Sequence, residues 1–277
     1  MPKLARNDMR RWFFPTLLLF TLPLWGVSAA PASLEKLKDP KEKGLAIAKE
    51  MDRRDTGWKD QKAKMTMVLR NRQGKNSTRS IRIRTLEVTG DGDKSLTLFD
   101  TPKDVKGTAF LSHTHPMTPD DQWLYMPAMK RIKRISSSNK SGPFMGSEFA
   151  YEDLSSQEVE KYTYKWLRDE KLGKDDTFVT ERYPTYEHSG YTRQIVWIDK
   201  KIYQPRKMEF FDRKNALLKV LTFHGYKQYL GQYWRPTRME MDNKQTGKST
   251  KLTWEKYQFK TGLKKSDFER SELKREW

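Results

Sequence analysis

From Lys64 onward, apolar and polar side chains exchange places at every second position. Met65, Met67 and Leu69 alternate with Lys64, Thr66 and Arg70, Ile81 and Ile83 with Arg82 and Arg84, and Met239 and Met241 with Arg238 and Glu240. Successive side chains of a strand point to opposite faces, so this rhythm predicts strands with one buried and one wetted face. Turn signals separate the runs, as at Asn71-Arg72-Gln73-Gly74 and Gly90-Asp91-Gly92-Asp93. Further strands are expected at Ser95–Phe99, Thr108–His113, Gln122–Met126, Tyr162–Trp166, Phe178–Tyr183, Tyr191–Ile198, Lys207–Phe211 and Leu217–Phe223. Leu252 and Trp254 mark the last long one, with a slip of phase before Tyr257 and Phe259. About eleven strands joined by short turns predict a mainly β chain, an antiparallel meander forming a barrel or a strongly curved sheet. One helix precedes them. Asp39 offers an N-cap acceptor and Pro40 suits the first helical position. Leu45, Ala48 and Met51 form a stripe too narrow for a helix buried all round, so it should lie on the sheet. Residues 32–39 read as a disordered leader, and Ser266-Asp267-Phe268-Glu269 as a capping box opening a short C-terminal helix.

The N-terminus reads as a secretory signal. Lys3, Arg6, Arg10 and Arg11 precede an apolar run from Trp12 to Trp25, and small residues follow, placing cleavage after Ala29. Arg10-Arg11-Trp12-Phe13 also resembles a twin-arginine signal, although the strong apolar run favours the general secretory route. The chain has no cysteine, which excludes a disulfide framework, a thiol nucleophile and a lipid-modified N-terminal cysteine. Losing residues 1–29 removes four basic groups and one acidic group, lowering the net charge from +19 to +16. In an exported protein such charge meets anionic lipid or an acidic partner surface rather than nucleic acid, or else solvates the exterior.

The segment Asp121–Leu154 concentrates the unusual chemistry. Trp123, Tyr125, Met126 and Met129 come first, then Lys130, Arg131, Lys133 and Arg134, then a Ser/Asn/Gly/Pro stretch carrying Phe144, Met145, Phe149 and Tyr151. Large apolar groups beside cations suit a ligand with an apolar body and an anionic head, or a membrane surface. The stretch from residue 141 to 151 reads as a lid or membrane-touching loop. His113 and His115 with Asp120 and Asp121 carry a weak metal-hydrolase reading, weakened further by Pro116 and Pro119. Glu152 and Asp153 are adjacent and would face opposite ways on a strand, which argues against a paired acid and base.

Several strings converge on one family: Phe99-Asp100-Thr101-Pro102-Lys103-Asp104-Val105-Lys106-Gly107-Thr108-Ala109-Phe110-Leu111, Asp121-Gln122-Trp123-Leu124-Tyr125-Met126-Pro127-Ala128, and Phe144-Met145-Gly146-Ser147-Glu148-Phe149-Ala150-Tyr151-Glu152-Asp153-Leu154. The chain resembles the outer-membrane lipoprotein-sorting (LolA-like) proteins, in the branch associated with RND/MMPL-type exporters. The resemblance implies a periplasmic protein whose residues 30–277 form one domain, an unclosed antiparallel β half-barrel covered by helices and a short lid. It implies a carrier that hands lipid or lipoprotein acyl chains from an inner-membrane transporter toward the outer membrane, with no catalysis, cofactor or metal. Acyl contacts are then expected at Met65, Met67, Leu69, Ile81, Ile83, Trp123, Tyr125, Met126, Phe144, Met145, Phe149 and Tyr151, and headgroup or partner contacts at Lys130, Arg131, Lys133 and Arg134. The alternative is an adaptor that carries nothing and binds a membrane complex through its basic surface.

Overall fold

A computed structural model describes residues 34–156 and 158–275. The expected signal peptide, with its cleavage site after Ala29, lies outside these residues. Helix α1 spans Pro40–Arg54, and the Asp39 carboxylate accepts from the backbone N–H groups of Lys41 at 2.6 Å and Glu42 at 3.2 Å. These are the otherwise unpaired donors of a first helical turn. The expected leader is corrected in part. Leu34 is buried and Leu37 packs against the same core, because the approach to α1 still covers apolar surface.

The alternating segments form β1 (Asp60–Arg70), β2 (Asn76–Leu86), β3 (Lys94–Thr101), β4 (Ala109–His113), β5 (Asp121–Met126) and β6 (Arg131–Ile135). After a crossover come β7 (Tyr162–Leu172), β8 (Asp175–Pro184), β9 (Tyr191–Asp199), β10 (Pro205–Asp212) and β11 (Leu217–His224). The short hairpin β12 (Lys227–Tyr229) and β13 (Tyr233–Arg235) stands apart, before β14 (Arg238–Asn243) and β15 (Ser249–Phe259). Thirteen strands make one sheet in the order β6-β5-β4-β3-β2-β1-β15-β14-β11-β10-β9-β8-β7. The fold is therefore an unclosed antiparallel half-barrel, whose edges β6 and β7 do not pair. Strands β6, β12 and β13 are not among those expected from the sequence. The cations of β6 hide its alternation, and the three-residue strands of the β12–β13 hairpin are too short to display a period. The slip before Tyr257 is a bulge: Lys64 opposes Glu255 but Lys62 opposes Gln258, with Lys256 at φ 53°.

One face of the sheet, here the inner face, carries the main core. Met65, Met67, Ile81, Phe110, Leu221 and Met241 meet there with Ile47 of α1. Each fully buried side chain of this size contributes about 1.5–3 kcal/mol of transfer free energy. A smaller core lies on the outer face, where Leu96, Leu98, Ala109 and Leu111 pack beneath Phe268 and Leu273 of the C-terminal segment. That segment is not the helix expected. It forms two 3₁₀ turns, Lys265–Phe268 and Arg270–Lys274, and the capping acid is Asp267, which accepts from Lys264 N–H at 2.8 Å.

Gly44 sets how closely α1 lies on β7. A Cβ there would stand 2.8 Å from the Trp166 backbone nitrogen, while Lys43 Nζ sits 3.6 Å from the centroid of the Trp166 ring. Gly→Ala inside a helix ordinarily stabilises by about 1 kcal/mol. At this position the backbone clash reverses the sign, and Gly44→Ala is expected to destabilise by about 1–3 kcal/mol in denaturant unfolding. A gain in stability would show that α1 does not dock on β7 in this way.

Candidate functional site

Because the two edge strands are consecutive in sequence, residues 136–161 must pass from one edge of the sheet to the other. The described residues among them do so across the inner face, in four 3₁₀ turns: Ser137–Asn139, Phe144–Gly146, Tyr151–Leu154 and Val159–Lys161. Phe144 is the apolar centre of this crossover. Its ring lies 5.2 Å from Phe110, 5.5 Å from Tyr151 and 5.8 Å from Phe99, in tilted or edge contacts. Phe144 and Phe149 are 1% and 2% exposed, so the segment expected as a lid or membrane-touching loop covers the face as a plug, with both rings seated in the core. Truncating such a phenylalanine costs about 3–5 kcal/mol, which makes it a poor probe of binding.

Polar anchors hold the plug. Lys219 projects from β11 into the inner face and donates to Asp153 Oδ2 at 2.7 Å and to the Glu148 carbonyl at 2.9 Å. Asp153 also accepts from Tyr191 Oη at 2.8 Å and from Ala150 N–H at 2.7 Å. Both charges of this pair are buried, at 4% and 7% exposure. Arg79 of β2 donates to the Met145 carbonyl at 2.6 Å. Met145 and Gly146 have φ values of 50° and 76°, a left-handed reversal that Met145 adopts only with strain. Toward β7, Glu152 accepts from Gly190 N–H and Ser189 Oγ, each at 2.8 Å, and from Tyr186 Oη at 3.1 Å. Burial and the adjacent Asp153 push the Glu152 carboxyl above its usual range, against the pull of these donors.

The expected acyl contacts divide between the two faces. Met65, Met67 and Ile81 are buried in the inner core, and Leu69, Ile83, Met126, Met145 and Tyr151 pack against it. Trp123 and Tyr125 do not share that site. They alternate with Leu124 and Met126 along β5 and pack on the outer core beneath the C-terminal segment. The basic quartet is split as well. Lys130 occupies a turn at φ 50°, Arg134 pairs with Asp121, and Arg131 and Lys133 are exposed on the free edge strand. Charges there deter edge-to-edge pairing with another chain.

The residues of the hydrolase reading form local contacts: the His115 backbone N–H donates to Asp120 Oδ1 at 3.2 Å, and His115 Nε2 lies 3.8 Å from Asp121 Oδ2. His113 Nε2 lies 2.8 Å from the Phe268 carbonyl, and His115 Nδ1 lies 2.8 Å from Asp91 Oδ1. Among the described residues no three His, Asp or Glu side chains gather as a metal site. Asp120, Glu152 and Lys161 surround a pocket of about 20 Å³, room for a water molecule and not for an organic substrate. No spacing in the sequence groups Lys219, Asp153 and Arg79 as a set. A signal was present, since Lys219 is in phase with Leu221 and Phe223, and Arg79 with Ile81, so each cation falls on the apolar face of its strand.

Comparison with known proteins finds this half-barrel architecture in solved structures of related sequence. A crystal structure described as an outer membrane lipoprotein-sorting protein domain, from Vibrio parahaemolyticus, is 60% identical, with 85% of this chain and 100% of that chain covered and a TM-score of 0.84. A DUF1329 family protein from Desulfovibrio piger is 31% identical over 85% of this chain and 99% of that one, with a TM-score of 0.81. A LolA superfamily protein from Nitrosomonas europaea, 19% identical over 83% of this chain and 98% of that one at a TM-score of 0.66, shares the fold. A family model described only as an uncharacterized protein matches residues 91–275. No curated protein matches the chain. The chain belongs to the outer-membrane lipoprotein-sorting family.

Two measurements test the plug. Removing one partner of a buried ion pair leaves the other uncompensated, so Lys219→Met and Asp153→Asn should each cost about 3–5 kcal/mol. The double variant should cost much less than their sum, and additive losses would deny the pairing. The second concerns pH. The folded chain holds the Glu152 proton more tightly than the unfolded chain does. The stability it contributes is therefore present below the ordinary glutamate value of about 4.5 and is lost as pH rises through the raised one. Glu152→Gln should flatten that decline in a series of Tm values against pH.

Proposed function

We propose that this protein is a periplasmic carrier that binds acyl chains of a lipid or lipoprotein along its inner face when the crossover moves aside, and passes them toward the outer membrane. The observation that carries the reading is what covers that face. Beside α1, it is covered by a crossover of short turns, attached at a few polar points to an apolar surface. Met65, Met67, Met126, Met208, Met239 and Met241 lie on or against that surface, and methionine repacks readily around chains of different shape. The lipoprotein-sorting description of the 60% identical relative supports the same role. An RND/MMPL-type transporter in the inner membrane is the donor this reading expects, and contact with the membrane is transient.

The exposed basic edge strand favours a second reading, an adaptor that docks on an acidic partner through Arg131 and Lys133 and carries nothing. The two readings differ in salt dependence. Docking by exposed charge weakens steeply with ionic strength, whereas acyl burial does not. Purification from the periplasm followed by mass spectrometry should yield bound lipid or acylated protein. The variant Lys219→Met/Asp153→Leu, which replaces the buried pair by apolar side chains, should take up a fluorescent fatty acid several-fold better than wild type. Failure of both proteins to bind any acyl chain would sink the carrier reading.

A further inference from the structure

The inner face has two ends, and they differ. At the Asp60 end of β1 stands the β12–β13 hairpin, with Tyr229, Tyr257 and Phe259 in mutual ring contact and Tyr233 against Phe259. At the Arg70 end a cleft of about 230 Å³ opens between the β1–β2 turn, the β14–β15 turn and the reversal at Gly146. Leu69, Arg70, Lys75, Ser77, Gly146 and Lys248 line it. Its single acid is Glu148, whose Oε2 accepts from Asn243 Nδ2 at 2.7 Å. Among the described residues Arg70, Lys75 and Lys248 form no ion pair, whereas the neighbouring Lys244 pairs with Asp242 at 3.7 Å. Three unpaired cations thus converge on one concavity.

The floor of the cleft continues inward. Leu69, Met67 and Met65 follow one another on the inner face of β1, and Ser77, Arg79 and Ile81 do so on β2 beside them. Between cleft and core stands the Met145 backbone, held by Arg79 in its strained left-handed turn. Arg79 is half-buried, and desolvation makes its charge costly there.

We infer that this cleft binds the phosphate group of an anionic amphiphile, which rests on the carrier reading and gives the cargo's head a place. Arg70, Lys75 and Lys248 supply charge-assisted hydrogen bonds to the phosphate oxygens.

The test uses the exported protein, dihexanoyl phosphatidylglycerol, dihexanoylglycerol lacking the phosphate, and inorganic phosphate, each titrated by calorimetry. Arg70→Gln/Lys75→Gln/Lys248→Gln is compared with Lys171→Gln/Lys174→Gln/Lys227→Gln, an equal charge change around the β7–β8 turn and on the far hairpin. Loss of three charge-assisted contacts should weaken phosphatidylglycerol binding by about tenfold or more in the cleft variant and by less than about twofold in the control. Binding of dihexanoylglycerol should be the same in all three proteins. Equal weakening in both variants, or none in the cleft variant, overturns the inference while leaving the carrier reading intact. Binding of inorganic phosphate at the cleft, with neither lipid bound, would sink the carrier reading and assign the site to free phosphate.

Discussion

The pairing of β1 with β15 is the constraint from which the rest of the architecture follows. The first and last strands lie side by side in the middle of the sheet, antiparallel from Gln61 opposite Phe259 to Arg70 opposite Ser249. Two meanders then grow outward from this seam, one forward along the chain and one backward. Their outermost strands, β6 and β7, are neighbours in sequence but opposite edges in space. The chain between them has no route except across a face. Since that face carries the large apolar side chains, the crossover is both a connection and a cover.

The cover is not held by apolar contact alone. Lys219 and Asp153 take two charges out of water, and a buried pair of this kind returns little net stability because desolvation offsets its Coulombic gain. What it does enforce is position, since an off-register plug would leave both charges unpaired. Glu152, seated on three donors of the β8–β9 turn, performs the same duty toward the other edge. Phe144 and Phe149 fill volume between these two fixed points. The cover is thus fixed by a few directional contacts and filled in by deformable ones.

Much of this was readable from the chain. Alternation in β1 and β2, the Asp39-Pro40 helix start and the phase slip before Tyr257 each rest on local geometry, and each stands where local geometry put it. Strand β6 was illegible because its exposure to solvent as an edge removes the need for apolar alternation. Grouping Trp123 and Tyr125 with Met126 followed composition across two faces, although the period of two had already separated them. Lys219 was readable as an anomaly, a cation in phase with Leu221, but its partner is 66 residues away and only the crossover's path brings them together. The cleft at Arg70 depends on turns of three distant segments meeting, which no local pattern encodes.

A chain segment tied to the sheet at both ends cannot diffuse away when displaced. For any ligand of the inner face, the crossover is a tethered competitor, and its local concentration is set by its own two attachments, in the millimolar range or above for short tethers. Under the carrier reading, a ligand displaces that competitor to enter, and once its free concentration falls, the same tether returns Phe144 to its seat. Occupancy of such a face is self-limiting. Release then requires no external source of energy, only a neighbouring acceptor that holds the ligand more tightly than the face can while its own chain is pressing to return.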